Sequence, residues 1–304
     1  GSAKAGKKFS CTISRNGDPL HRVYLEVDHL ATAADGCAMI DYAEVEIGGQ
    51  CIDKHYGDWM QIWTDLTHNS DKATMLGKML PAAAGKSYIP LQFWFCRNPG
   101  LALPLIALQY HEVKLNVQFA TNGTANVITG CCVFCDYIFL DTDERRRFAQ
   151  VSHEYLIEQV QFSNALTVSA EGGQVELRFN HPVKELLWHD NTSAADASAK
   201  MSSCLLQLNG HDRFRKRNGS YFRNVQRYEH HSGEGILDNV QMYSFGLKPE
   251  EHQPSGTCNF SRIDNAVLSV ESSTSDMYTT LKVYAVNYNV LRIMSGMGGL
   301  AYSN

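Results

Sequence analysis

No stretch of the 304-residue sequence is apolar for long enough to cross a bilayer, and no secretory signal is read at its start. A meeting with a membrane is therefore expected only from the side or through a partner. Basic charge is also lacking: 27 Lys and Arg stand against 32 Asp and Glu, a net charge of −5. A general nucleic-acid coat needs cationic excess to displace counterions, so the balance argues against that class. Charged residues amount to only 19% and hydrophobic residues to 44%, a globular composition rather than a disordered one. The Gly-x-Ser-x-Gly elbow of hydrolases is absent, and nothing in the sequence joins His153 and Glu154 to Asp264. No enzyme is expected. The nine cysteines are odd in number and the chain is not small, which argues against a disulfide framework. Several alternate with apolar residues, as small buried hydrophobes do in a reducing compartment.

What is present is mostly strand. The stretch Asn98–Phe119 begins as an apolar run broken by Pro99, Gly100 and Pro104, which neither a helix nor a central strand accepts. It ends in a clean alternation, with Val113, Leu115, Val117 and Phe119 on one face of a half-buried strand. Val23, Leu25 and Val27 form another strand. Ala43, Val45 and Ile47 form a third, before a tight turn at Gly48-Gly49. Asp58 is expected to cap a short helix whose apolar face is Trp59, Ile62, Trp63 and Leu66, and Met75–Leu80 continues as a helical turn up to Pro81. Leu91–Phe95 is expected as an aromatic strand, and Val127–Asp141 as a dense apolar one. Thr142–Gln150 is charged and reads as a linker. From Tyr155 a second β series follows, at Tyr155–Phe162, Val175–Phe179, Leu205–Leu208, Gln241–Leu247, Ala266–Val270 and Leu281–Val290. VEIGGQ at Val45–Gln50 and LQLNGH at Leu206–His211 share one pattern, and the elements after them run in parallel order. This weak duplication suggests two copies of one β-sandwich.

GLALPLIALQYHEV, within the Asn98–Phe119 stretch, closely resembles a signature of the major capsid proteins of nucleocytoplasmic large double-stranded DNA viruses, the chlorella viruses and iridoviruses among them. SRNGD at Ser14–Asp18, EIGGQ at Glu46–Gln50, DYIFLD at Asp136–Asp141 and HEYLIEQ at His153–Gln159 add to the resemblance. QPSGTCNFSRIDNA at Gln253–Ala266 and NYNVLRIMSGMGGLAY at Asn287–Tyr302 complete it, in family order to the C-terminus. The resemblance implies an all-β double jelly roll: two tandem eight-stranded antiparallel sandwiches, side by side, with short helices in loops. The boundaries are then 1–141 for the first jelly roll, 142–152 for the linker and 153–304 for the second. It further implies a structural protein of the virion, assembled in the host cytoplasm. Three chains would form a pseudo-hexagonal capsomer that packs with neighbouring capsomers into an icosahedral shell over an internal membrane, contacted indirectly. Minor capsid proteins are the other partners implied, and no specific nucleic acid is. Family members carry a longer segment before the SRNGD block, giving a first strand and a basal arm. Only about a dozen residues precede Ser14 here, so that arm is expected to be shortened. The insertions at Asp65–Ser87 and Asn191–Ser203 look trimmed, which implies a low capsomer top. The glycines at 296, 298 and 299 imply a close-packed turn near the subunit contacts.

Several motifs suggest chemistry. Ala82–Ser87 (AAAGKS) looks like a phosphate loop, but Leu80 stands where the first glycine is needed. Cys132 and Cys135 have metal-like spacing without a second pair, and core cysteine is the better reading. His230, His231 and Glu234 are the best metal candidate, yet read as a solvated loop without strands to orient ligands. No cofactor is therefore expected. Arg213, Arg215, Lys216, Arg217, Arg223 and Arg227, with Phe214, Tyr221 and Phe222 between them, suit either single-stranded nucleic acid or an exposed hairpin pairing with a neighbouring subunit. The acidic total favours the second. Sequons at Asn122, Asn191 and Asn218 lie in polar turns and are candidate glycosylation sites, whereas Asn259 is expected to be structural. The alternative function is a jelly-roll module binding carbohydrate or a receptor through Trp59, Trp63, Trp94 and Trp188. A metal-dependent cupin enzyme is the third.

Overall fold

The computed structural model describes residues 6–30, 36–81, 83–121, 127–168, 173–190, 201–271 and 279–303. The chain divides into two compact units. Unit 1 comprises Gly1–Gln61, Asp71–Gln159 and Asn289–Asn304, and unit 2 comprises Ile62–Ser70 and Val160–Tyr288.

In unit 1, strands β1 (Lys8–Thr12), β2 (Pro19–Leu30), β3 (Ile40–Ile47) and β4 (Gln50–Tyr56) lead to helices α1 (Gly57–Thr67) and α2 (Ser70–Met79). Strand β5 (Gly85–Pro90), helical turn α3 (Trp94–Arg97), β6 (Leu103–Pro104), β7 (Val113–Phe119), β8 (Val127–Tyr137) and α4 (Thr142–Gln150) follow. One sheet has the order β1-β7-β3-β4. In the other, β2 pairs antiparallel with β5, β6 and β8. The alternations set the registers. Val113, Leu115, Val117 and Phe119 are buried on β7, and Ala43, Val45 and Ile47 are buried opposite them on β3. Gly48 and Gly49 both take positive φ (57° and 87°), as the β3–β4 hairpin requires. Helix α1 starts one residue before Asp58, at Gly57, where a side-chain carbon would lie 2.2 Å from the Ile40 carbonyl oxygen. The unit boundary falls within α1: Trp59 and Met60 are buried in unit 1, and Ile62, Trp63 and Leu66 in unit 2.

The expected Leu91–Phe95 strand is not formed. Strand β5 stops at Pro90, and the chain turns through α3. Leu91, Phe93, Trp94 and Phe95 are all buried, so this segment has no exposed face to alternate with. The charged segment 142–150 is helix α4, and the Asp141 amide at its start donates to Glu144 Oε2 at 3.2 Å.

Strand β9 (His153–Val168) leads into unit 2. There follow β10 (Gly173–Glu176), β11 (Pro182–Asp190), β12 (Ser203–Leu208), β13 (His211–Asp212) and β14 (Arg217–Asn218). A π-helical turn (Tyr221–Val225) runs into α5 (Gln226–His230), followed by β15 (Val240–Ser244), β16 (Cys258–Asn259) and β17 (Ala266–Glu271). Strand β18 (Thr279–Met294) returns to unit 1, where its Leu291–Met294 end pairs with β19 (Met297–Leu300). One sheet of unit 2 runs β10-β17-β12, with β13 and β14 also on β12. The other holds β15, β11 and β18, with β16 on β11. Both sheets fill a single core that includes Val175, Cys204, Leu206, Leu268 and Val270 from the first, and Val183, Leu186, Trp188, Val283 and Ala285 from the second. The LQLNGH turn matches its counterpart in unit 1, with Asn209 and Gly210 at φ 51° and 79°.

Candidate functional site

His231 is not on a solvated loop. Its side chain is 1% exposed and lies between two carboxylates, with Nε2 2.9 Å from Glu185 Oε2 and Nδ1 3.0 Å from Glu250 Oε1. Strand β11 supplies Glu185. Glu250 also accepts from the Ser232 amide at 2.8 Å and the Ser232 hydroxyl at 2.7 Å. Burial pulls the imidazole pKa down, but the charge of Glu185 and the bonds to both carboxylates outweigh it and push the value up to about 9. Both ring nitrogens of the imidazolium donate to carboxylates, which leaves neither with a lone pair for a metal. His230 turns elsewhere, with Nδ1 3.1 Å from the Leu247 carbonyl oxygen, and Glu234 is exposed. Among the described residues, no group of three His, Cys, Asp or Glu side chains is arranged to hold a metal ion.

The rest of this loop is fastened through Asp65 in the second half of α1. Asp65 Oδ1 accepts from the Ile236 amide at 2.8 Å and Oδ2 from the Leu237 amide at 3.2 Å, while the Gly233 amide donates to the Leu66 carbonyl at 2.8 Å. All of these residues belong to unit 2.

The basic run separates into buried and exposed cations. Arg227 is buried, with Nη1 donating to the Gly235 carbonyl at 2.8 Å and Nη2 to those of Leu237 and Val240 at 2.6 and 2.8 Å. Arg223 is buried as well. Lys216 pairs with Glu271, and the Arg217 guanidinium lies 4.1 Å from the Tyr221 ring centre. Phe222 is fully buried, and Phe214 packs on it at 5.2 Å. Phe222 thus belongs to the core, and Phe214 and Tyr221 are half-buried against it instead of standing out as a stacking platform for bases. Arg213 and Arg215 are exposed and have no carboxylate partner among the described residues.

Lys86 of the AAAGKS segment lies in β5 and pairs with Glu26 and Asp28 on β2. Ala82 is outside the described residues. All nine cysteines are free thiols. Cys132 is exposed and Cys135 only half-buried on β8, so the core-cysteine reading does not hold for this pair. Desolvation still pushes Cys135, against a hydrogen bond with Tyr137, up to about 11 and Cys131 up to about 12, so neither of these two is a thiolate near neutrality. Asn122 and Asn191 lie outside the described residues. Asn218 is exposed on β14, and its Oδ1 accepts from the Ser220 amide at 2.9 Å. Asn259 Oδ1 accepts from the Ser261 amide at 3.1 Å and caps the turn Phe260–Arg262, as a structural residue does. Trp59, Trp63, Trp94 and Trp188 are all buried, which removes the stacking surface of the carbohydrate reading.

In unit 1 the C-terminal glycines form a tight turn. Gly296 has φ 78°, donates no side chain, and leaves room for the Tyr110 ring, which a Cβ would meet at 2.6 Å. The Tyr110 amide donates to the Gly296 carbonyl at 2.9 Å. Adjoining grooves of about 440 and 660 Å³ lie around Arg15, but its guanidinium already donates to the carbonyls of Leu108, Gln109 and His111.

Surface is therefore what the chain offers a partner. The large apolar side chains it leaves exposed include Tyr110 and Phe139 in unit 1, and Tyr228, Ile236 and Leu247 in unit 2. Sequence reasoning missed them, because isolated apolar residues in loops, or in a helix as short as the one that holds Tyr228, carry no periodic signal.

The chain resembles known proteins over its whole length. Residues 1–141 match the family described as major capsid protein N-terminus, and residues 144–299 match large eukaryotic DNA virus major capsid protein. The major capsid protein of Pyramimonas orientalis virus is 49% identical, with 98% of this chain and 87% of that protein covered. That of Paramecium bursaria Chlorella virus 1 is 40% identical, with 100% and 89% covered. A chain of the quasi-atomic capsid structure of PBCV-1 superposes with a TM-score of 0.87 at 38% identity, covering 100% of this chain and 94% of that one. The Faustovirus major capsid protein, at 10% identity and a TM-score of 0.81, shares the fold alone. The fold is thus the double jelly roll of these capsid proteins, and the relatives are structural proteins rather than enzymes. The role is structural, in the capsid of the virion, and the chain belongs to the major capsid protein family of large eukaryotic DNA viruses.

Proposed function

We propose that three copies of the chain close into a pseudo-hexagonal capsomer, and that capsomers tile an icosahedral shell assembled in the host cytoplasm. The observation that carries this reading is the full-length superposition on a chain of a solved virus capsid. The two jelly rolls are taken as 1–141 and 153–304, joined by 142–152, in keeping with the separate family matches at 1–141 and 144–299. Two sandwiches per chain and three chains supply the six corners of such a tile, and a ring of this kind needs a heterologous interface that closes. Minor capsid proteins and indirect contact with an internal membrane complete the partners, with no specific nucleic acid. Imaging of the purified protein tests the reading: it requires a ring with six-cornered outline, and paired or open chains of subunits would overturn it. Asn122, Asn191 and Asn218 are proposed as glycosylation sites. Treatment of virion-derived protein with an N-glycosidase should lower its mass, and a mass unchanged by the treatment would remove all three.

A further inference from the structure

We propose that His55 is an acid-operated latch in unit 1: uncharged, its ring joins β4, α1 and the 91–97 segment in one aromatic stack, and proton uptake by the ring loosens that stack.

His55 lies near the end of β4, and its side chain is 1% exposed. The ring is held between the Trp59 ring of α1, at 4.2 Å between centres, and the Phe93 ring, at 4.4 Å. Phe93 stacks in turn on Phe95 at 5.7 Å, and the Arg97 guanidinium lies 5.5 Å from the Trp59 ring. All of these residues belong to unit 1. Helical turn α3 is four residues long and has no sheet ladder to hold it, so ring packing of this kind fixes its place.

The site is built for a neutral ring. Nε2 is 2.7 Å from Asp53 Oδ2 but out of line with it, and Nδ1 has no hydrogen-bond partner among the described residues. A neutral imidazole carries one N–H. Protonation adds a second donor, and at Nδ1 that donor meets no acceptor. Two charges bear on the ring. Asp53 on β4 attracts a proton, while Arg97 on α3 repels one and is itself paired with Glu158 of β9 at 2.7 Å. Burial is the largest influence, and it holds the imidazole below its ordinary 6.5.

The sign follows from linkage. With the folded value depressed, the open chain takes up a proton below about pH 6.5 and the closed stack does not, so stability falls as pH falls. The ring gains its proton by leaving the stack, and acid thereby favours conformers in which the 91–97 segment is released. The device acts within one chain, so it stands or falls apart from the capsomer reading. In a shell it makes acid the condition that softens the wall.

The test uses the full chain. As pH drops from 7 to 5, the unfolding constant from urea transitions should rise about tenfold or more in wild type relative to His55→Gln, because one proton is taken up on unfolding. Hydrogen exchange, corrected for its own pH dependence, should show lost protection at the Leu91 and Cys96 amides over the same range. The amides of β12 and β17 in unit 2 should keep theirs. The exchange measurement needs no substitution, so a His55→Gln chain that fails to fold leaves the test in place. Parallel unfolding curves in the two proteins overturn the latch, as do Leu91 and Cys96 amides protected equally at pH 5 and pH 7. A fall shared equally by unit 2 also overturns it, since acid is then acting on the whole molecule.

Discussion

His231 carries a charge at neutral pH because Glu185 and Glu250 flank its buried ring. Its folded pKa of about 9 lies above the ordinary 6.5, so the stabilisation is fully present below pH 6.5 and is lost as pH rises through about 9. A shift of this size corresponds to on the order of 3 kcal/mol. Glu250, held low by the same contact against its burial, works in the opposite direction, and its contribution is lost as pH falls through its depressed pKa. Urea midpoints of wild type and His231→Gln between pH 6 and 10 check this. The wild type should lose stability toward pH 10 while the variant starts lower and stays flat; parallel curves would contradict it. Gly57 supplies a second residue-scale outcome. Gly57→Ala drives a methyl into the Ile40 and Cys37 carbonyls, 2.2 and 2.5 Å from its Cβ position, and should cost more than about 2 kcal/mol in thermal or urea unfolding.

At the scale of elements, Asp65 ties the second half of α1 to the loop that follows α5. Asp65→Ala leaves the amides of Ile236 and Leu237 without their acceptor and should cost about 2 kcal/mol, since each is a hydrogen bond to a charged group. Hydrogen exchange should quicken at those amides and leave those of β7 protected; uniform protection would refute the fastening. The strands with one wet face were legible in the sequence. β3, β7, β12 and β17 alternate, and the Gly48-Gly49 and Asn209-Gly210 turns have the composition their φ values demand. Strand β11 was not legible, because it is buried on both faces, and its Lys184 and Glu185 are 1% and 0% exposed. Charged residues in a row of apolar ones obscure period-two reading. The 221–230 helix was read as part of a basic hairpin for a related reason: Arg223 and Arg227 look like surface charge in sequence, and only tertiary carbonyls explain their burial. The same holds for His231, whose partners lie 46 and 19 residues away. The family blocks supplied what local pattern could not, namely the double jelly roll and the capsid role.

At the scale of the whole molecule, the fold rests on packed sheets and not on covalent links. All nine cysteines are free, so a reducing agent should leave the melting temperature unchanged, and a thiol titration in denaturant should count nine. A melting point that falls on reduction would contradict this. The acidic net charge and the buried aromatics leave nucleic acid without a platform, while exposed Tyr110, Phe139, Tyr228, Ile236 and Leu247 remain for protein contacts. Self-association is therefore the property on which the account stands. The measurement that tests it most directly is the solution mass by light scattering under reducing conditions. The single chain is 34.0 kDa, and a closed trimer of about 100 kDa that survives dilution is the expected result. A stable 34.0 kDa monomer at every concentration would contradict the account.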